Sequence, residues 1–112
     1  MELIIDKHII DTDMNIILHD LRRLCNERYL KDIIPRGENV AITCPHHKDG
    51  NENHPSCYVY NSRSSKDVPY GWYRCFTCRE QGPLYKLVSV CTDMSIETAK
   101  QWLIENYSHT YA

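Results

Sequence analysis

Cys44-Pro45-His46-His47 and Tyr73-Arg74-Cys75-Phe76-Thr77-Cys78 are the two stretches on which the reading of this 112-residue sequence turns. Each contains two metal-ligand residues separated by two others, Cys44 with His47 and Cys75 with Cys78, and 27 residues lie between His47 and Cys75. A two-residue gap lets one tight turn present both side chains to a single ion, and zinc takes thiolate sulfur and imidazole nitrogen in a tetrahedron. A lone Cys-x-x-Cys is shared with redox motifs. Two such clips, the second followed closely by Gly82, point to zinc. Cys44, His47, Cys75 and Cys78 fill all four positions and leave none for water, so the expected ion is single and structural rather than catalytic. His46 can in principle replace its neighbour, but the two-residue gap favours His47. No His and Asp arrangement supports a catalytic cysteine.

Composition narrows the class. A chain of this length is one small domain, for which a structural metal is a common supplement to a modest core. Six cysteines in 112 residues fall below the roughly 8–10 per cent of a disulfide scaffold. There is no apolar run of membrane-spanning length and no signal-peptide pattern at the start. We therefore expect a cytoplasmic protein with reduced thiols and no membrane association. The net charge is −2, which argues against a general polyanion binder. Its distribution says more. Residues 44–88 hold six basic and four acidic side chains, while residues 1–43 hold six and eight, and residues 89–112 one and three. A mildly basic centre between acidic flanks allows a local contact with nucleic acid and not a broad electrostatic grip.

The expected fold is α+β, a zinc ribbon with a small antiparallel sheet flanked by helices. Residues 1–14 form an N-terminal segment, either a short strand or a helical turn, and residues 15–112 form the zinc-binding domain. Ile17, Leu18, Leu21, Leu24, Cys25 and Tyr29 mark one face of an amphipathic helix from Asn15 to about Lys31, capped by Asp13 or Asn15. Pro35-Arg36-Gly37 reads as a turn. Strands are expected at Asn39–Thr43, Cys57–Tyr60 and Tyr70–Arg74. A helix follows Gly82-Pro83 to about Cys91 with Leu84, Leu87, Val88 and Cys91 inward. A last helix is capped by Ser95 and buries Ala99, Trp102 and Leu103. Cys25, Cys57 and Cys91 sit at apolar positions and read as small buried hydrophobes. His54 reads as a turn residue, and His8, His19 and His109 as surface residues.

Beyond the clips, the sequence resembles the zinc-binding domain at the start of bacterial and phage DNA primases. The matching residues are Cys44-Pro45-His46-His47, Pro55-Ser56-Cys57-Tyr58-Val59, Tyr73-Arg74-Cys75-Phe76-Thr77-Cys78 and Gly82-Pro83-Leu84-Tyr85-Lys86-Leu87-Val88, within a stretch from about Val40 to about Tyr107. The family pattern also favours His47 over His46. It carries an aromatic where this chain has His46, a Phe where it has Cys57, and a Gly where it has Thr77. The loop between the clips is longer here, through an insert from Asn61 to Tyr70.

The resemblance implies a module that binds single-stranded DNA template and assists initiation of RNA primer synthesis, without polymerase chemistry of its own. That chemistry belongs to a separate domain of clustered carboxylates and divalent metal, for which 112 residues leave no room. It also implies that the exposed sheet face near the metal meets the template. Exposed aromatics stack on unpaired bases while Arg and Lys hold phosphates. Strand alternation puts Tyr58 and Tyr60 on one face, and Trp72 and Arg74 on one face with Tyr73 opposite. By analogy the contact residues are Tyr60, Arg63, Trp72, Arg74 and Arg79, followed by Lys48. About half of the ribbon's aromatics must serve the core instead. The competing expectation is a stand-alone zinc-ribbon adaptor or regulator that binds a replication protein, such as the helicase or the primase catalytic domain.

Overall fold

The computed structural model describes residues 1–46 and 55–111, the last three through their backbone. Eight strands and three helices follow in the order β1 (Leu3–Ile5), β2 (His8–Ile10), α1 (Met14–Leu24), β3 (Ile33–Arg36), β4 (Asn39–Ile42), β5 (Cys57–Tyr60), β6 (Tyr73–Cys75), β7 (Gln81–Gly82), α2 (Leu84–Thr92), α3 (Ile96–Tyr107) and β8 (Ser108–Tyr111). Strands β3-β4-β5-β6-β7 form an antiparallel five-stranded sheet, and β1-β2-β8 form an antiparallel three-stranded one. The fold is α+β, as the sequence predicts. No helix among the described residues is long and apolar enough to cross a membrane.

The first residues form a β-hairpin. Asp6 and Lys7 both adopt positive φ, 48° and 70°, as a two-residue turn matched to the twist of its flanking strands requires. Leu3, Ile5 and Ile10 enter the same core as the ribbon, so this segment packs down on the rest of the chain. The hairpin gains its third strand from the far end of the sequence, where Ile9 pairs with Thr110.

Helix α1 is shorter than the apolar spacing suggests. Asp13 caps it, its carboxylate accepting the Asn15 N–H at 2.7 Å, and Met14, Ile17, Leu18 and Leu21 are buried. It ends at Leu24 because Asn26 and Glu27 enter the left-handed region, with φ 53° and 61°. Tyr29 is still buried, placed by the loop and not by a helical face. A second difference lies at Pro35, which belongs to a strand and not a turn. Strand β3 is at the edge of its sheet, where a residue without an N–H is tolerated. The turn itself is Gly37-Glu38, with Gly37 at φ 62° between paired Arg36 and Asn39. Strand β6 starts later than expected because Pro69-Tyr70-Gly71-Trp72 is a turn, closed by the Trp72 N–H to the Pro69 carbonyl at 3.1 Å.

Helices α2 and α3 follow their sequence signals closely. Leu84, Leu87, Val88 and Cys91 are buried on α2, and Asp93 ends it in the left-handed conformation. Ser95 caps α3 by accepting the Thr98 N–H, and Ala99, Leu103 and Tyr107 are buried with Trp102 packed against the core. Helix α3 packs on α2, β2 and β8, and α1 on β3 and α2, and Val40, Ile42, Cys57, Val59, Tyr73 and Cys75 of the five-stranded sheet join the same apolar cluster.

Gly71 and Gly37 separate two costs of a side chain. Both have positive φ, but a Cβ on Gly71 would stand 3.2 Å from the Leu84 Cβ and 3.4 Å from the Met14 Sδ, whereas nothing lies within 4 Å at Gly37. Gly37→Ala is expected to cost about 1 kcal/mol and Gly71→Ala on the order of 2–3 kcal/mol, strain plus crowding. Urea denaturation of the zinc-loaded protein measures both, and equal losses would show that crowding at Gly71 is relieved without cost.

Candidate functional site

Two strand ends and one turn assemble a cluster of three thiols that could hold a metal ion. Cys44 follows β4 after the buried Thr43, whose Oγ1 accepts the Asp32 N–H at 3.0 Å. Cys75 closes β6 opposite Cys57, and the chain then reverses. The Arg79 N–H donates to the Cys75 carbonyl at 2.9 Å and the Cys75 N–H to the Glu80 carbonyl at 2.8 Å, with Arg79 left-handed at φ 64°. This turn returns Cys78 to the mouth of the site. The sulfurs of Cys44, Cys75 and Cys78 lie within 4.8 Å of one another, and those of Cys44 and Cys78 are 3.7 Å apart. Two sulfurs bound tetrahedrally at about 2.3 Å stand roughly 3.8 Å apart, so the spacing suits an ion between them.

The electrostatics of the three thiols fit a cation equally well. Burial raises the Cys75 thiol, but the Cys78 N–H, the Ser56 hydroxyl and the Thr77 N–H outweigh it and bring it down to about 6. The Ser56 Oγ is 3.3 Å from the Cys75 sulfur. Cys78 is pushed up to about 12, first by burial and then by the neighbouring Cys75 and Cys44 thiols. Cys44 is raised further, by the Cys57 thiol hydrogen-bonded to it and then by burial. One thiolate forms readily and suppresses the others. A bound cation removes that conflict by letting all three ionise.

His47 and Lys48, and also His54, lie outside the described residues. His46 is not part of the thiol cluster. Its Nε2 is 2.6 Å from the Tyr73 hydroxyl, and its ring stacks on that of Tyr73 at a centroid distance of 5.6 Å. The residue that stands where the primase pattern has an aromatic thus makes an aromatic's contact.

The other face of the five-stranded sheet carries an open groove of about 420 Å³, lined by Asn39, Tyr58, Tyr60, Val68, Trp72, Arg74 and Phe76. Antiparallel register builds it, setting Asn39 beside Tyr60 and Tyr58 beside Arg74. The Tyr58 and Phe76 rings meet edge to face at 5.4 Å, and the Arg74 guanidinium stands 5.4 Å over Phe76. Trp72 is steadied by its indole N–H, which donates to Gln81 Oε1 at 3.4 Å. Arg74 has no carboxylate partner among the described residues, where every ion pair involves another side chain.

Of the residues singled out in the sequence, Tyr60, Trp72 and Arg74 line this groove, while Arg63 and Arg79 do not. Arg63 pairs with Asp11 at 3.7 Å and covers the Tyr70 ring. Arg79 is exposed in the turn after Cys78. The sequence reading did not select Tyr58, Phe76 or Asn39. Phe76 extends the period-two series of Trp72 and Arg74 and is 63% exposed; the expected strand stopped one residue pair too soon to include it.

No family model matches the chain, and no curated protein matches it. Among solved structures, the crystal structure of the Aquifex aeolicus primase, comprising zinc-binding and RNA polymerase domains, superposes with a TM-score of 0.52 at 27% identity. The match covers 83% of this chain and 22% of the primase chain. This chain has the fold of a primase zinc-binding domain.

Within that fold the segment from Asn61 to Tyr70 is anchored at both ends. The Asn61 Oδ1 accepts the Met14 N–H at 3.1 Å and the Tyr70 hydroxyl at 3.1 Å, and the same hydroxyl is 2.7 Å from the Thr12 carbonyl. The extra residues are thereby tied to the start of α1, away from the thiol cluster. Cys57, in place of the Phe of the family pattern, is fully buried against Cys44.

His46 and Cys78 make a discriminating pair. Cys78→Ser is expected to abolish stoichiometric zinc and with it the sharp thermal transition, since binding free energy in such sites, on the order of 10 kcal/mol, is mostly folding free energy. His46→Phe should keep full zinc content and lose at most about 1–2 kcal/mol. Zinc quantification with thermal melts reads both. Loss of the metal in His46→Phe would make His46 a ligand.

Proposed function

We propose that this chain is a primase-type zinc-binding module that engages single-stranded DNA template and assists the start of RNA primer synthesis. One structural zinc, held by Cys44, His47, Cys75 and Cys78, fixes the ribbon. The groove of Tyr58, Tyr60, Trp72, Arg74 and Phe76 receives the strand. The observation that carries this reading is the placement of an arginine with no carboxylate partner among the described residues within an aromatic-lined groove, on the sheet whose strand ends hold the thiols. Rings supply stacking faces that every base accepts, and a guanidinium supplies the counter-charge for the backbone. Zinc closes the fold here and takes no chemical step. Polymerisation belongs to a catalytic domain, which with the replicative helicase is the natural protein partner of such a module.

A second reading rests on an adjoining surface. Met1, Leu3, Ile4, Pro69, Pro83 and Tyr85, with the acidic Glu2 and with Trp72 shared with the groove, line a mostly apolar trough beside β1, with Ile4 52% exposed. An adaptor that binds a replication protein would use this trough, and its binding would ignore changes at Arg74.

Fluorescence anisotropy of a labelled random-sequence single strand, titrated with zinc-loaded protein at two salt concentrations, tests the choice. With two to four phosphates neutralised, log K should fall against log salt with a slope of about −1 to −3. Trp72→Ala and Arg74→Ala should each weaken binding by about tenfold, from stacking or charge worth 1–3 kcal/mol, with zinc retained. Absence of binding at tens of micromolar by folded, zinc-loaded protein would exclude template engagement by this module alone and favour the adaptor.

A further inference from the structure

The groove has a chemical direction. Arg74 and Phe76 lie toward the thiol site, while Tyr60, Asn39 and Glu38 lie toward the β3–β4 turn. At the latter end the Tyr60 hydroxyl donates to the Glu38 carboxylate at 3.3 Å, and a carboxylate there repels a phosphate. The backbone of a bound strand therefore belongs at the Arg74 end. What remains at the other is a neutral amide beside aromatic faces.

That amide is Asn39. Its backbone is fixed on both sides, paired with Arg36 in β3 and Tyr60 in β5, so its side chain leaves a rigid strand. It is half-buried at the groove wall, and it makes no side-chain hydrogen bond among the described residues. Nearby amides are engaged within the protein: Gln81 accepts from Trp72, and Asn61 accepts from Met14 and Tyr70. Asn39 alone of the groove-lining side chains offers an uncommitted carbonyl acceptor and N–H donor side by side.

We infer that Asn39 reads the edge of one unpaired nucleobase stacked in the groove, and that the base it favours is adenine. This rests on the groove binding single-stranded DNA, as proposed above. The amide requires an adjacent donor and acceptor on its partner. Adenine presents that pair on both of its edges, N6–H with N7 and N6–H with N1, whereas the second edge of guanine carries two acceptors. Pyrimidines present the pair on the Watson–Crick edge alone. A flipped or rotated adenine in an open groove thus satisfies Asn39 in either orientation, and a purine covers more of the Trp72 and Tyr58 faces. Arg74, two strands across and one pleat along, acts on the backbone and contributes equally for all bases.

The test uses short thymidine oligonucleotides carrying one central dA, dG or dC, or none, titrated by anisotropy into the zinc-loaded full chain. The wild type is expected to bind the dA strand about fivefold or more tighter than the others, the lower end of a bidentate amide–base contact. Asn39→Leu, which keeps the size and removes both polar atoms, should bind all four strands alike at the level of the weaker three. Arg74→Ala should weaken all four by a common factor and keep the dA preference. A wild type without preference, a preference that survives Asn39→Leu, or one that vanishes in Arg74→Ala overturns the assignment while template binding stands. Binding of none of the strands by folded, zinc-loaded wild type overturns the assignment together with the reading on which it rests.

Discussion

Mutual repulsion among three thiolates is the constraint around which this protein is arranged. Cys75 and Cys78 meet through one turn, but Cys44 joins them only when β4, β5 and β6 are paired, and that pairing brings three sulfurs within 4.8 Å. Without a cation one of them ionises and holds the others as thiols. A cation bound there would turn the same proximity into a cross-link between β4 and the turn after β6, coupling metal affinity to sheet register.

The five-stranded sheet divides its labour by alternation. Val40, Ile42, Val59 and Tyr73 face the helices and make the core, while the intervening Asn39, Tyr58, Tyr60, Trp72 and Arg74 face the groove. A one-residue slip in β5 or β6 would exchange the two sets. The Cys57–Cys75 pairing, next to the thiol cluster, opposes such a slip. An ion held by these thiols would thereby act on the groove at a distance, by fixing which side chains point into it.

Much of this was readable from the residues, and the failures have identifiable causes. The thiols, the caps at Asp13 and Ser95 and the buried face of α2 depend on local chemistry that a short window contains. Helix α1 was overextended because Tyr29 and Cys25 fall at helical spacing, although the left-handed Asn26 and Glu27 end the helix first. Pro35 looked like a turn because its tolerance on an edge strand depends on strand order, which the sequence does not display. The groove was half anticipated. Tyr60, Trp72 and Arg74 follow from alternation, whereas Asn39 enters only through its register with Tyr60, and Arg63 leaves through an ion pair with Asp11 far along the chain.

The pairing of β2 with β8 joins residues 8–10 to residues 108–111. Closing a loop of nearly the whole chain carries an entropic cost that the ribbon, built from pairings of neighbouring strands, does not meet. That cost is offset in the common core, where Leu3, Ile5 and Ile10 are buried with Val40, Val59 and Tyr73 of the ribbon. The Tyr70 N–H also donates to the Met1 carbonyl at 2.8 Å, so the terminal sheet is fastened beside Trp72 and the groove, and its loss would be felt there.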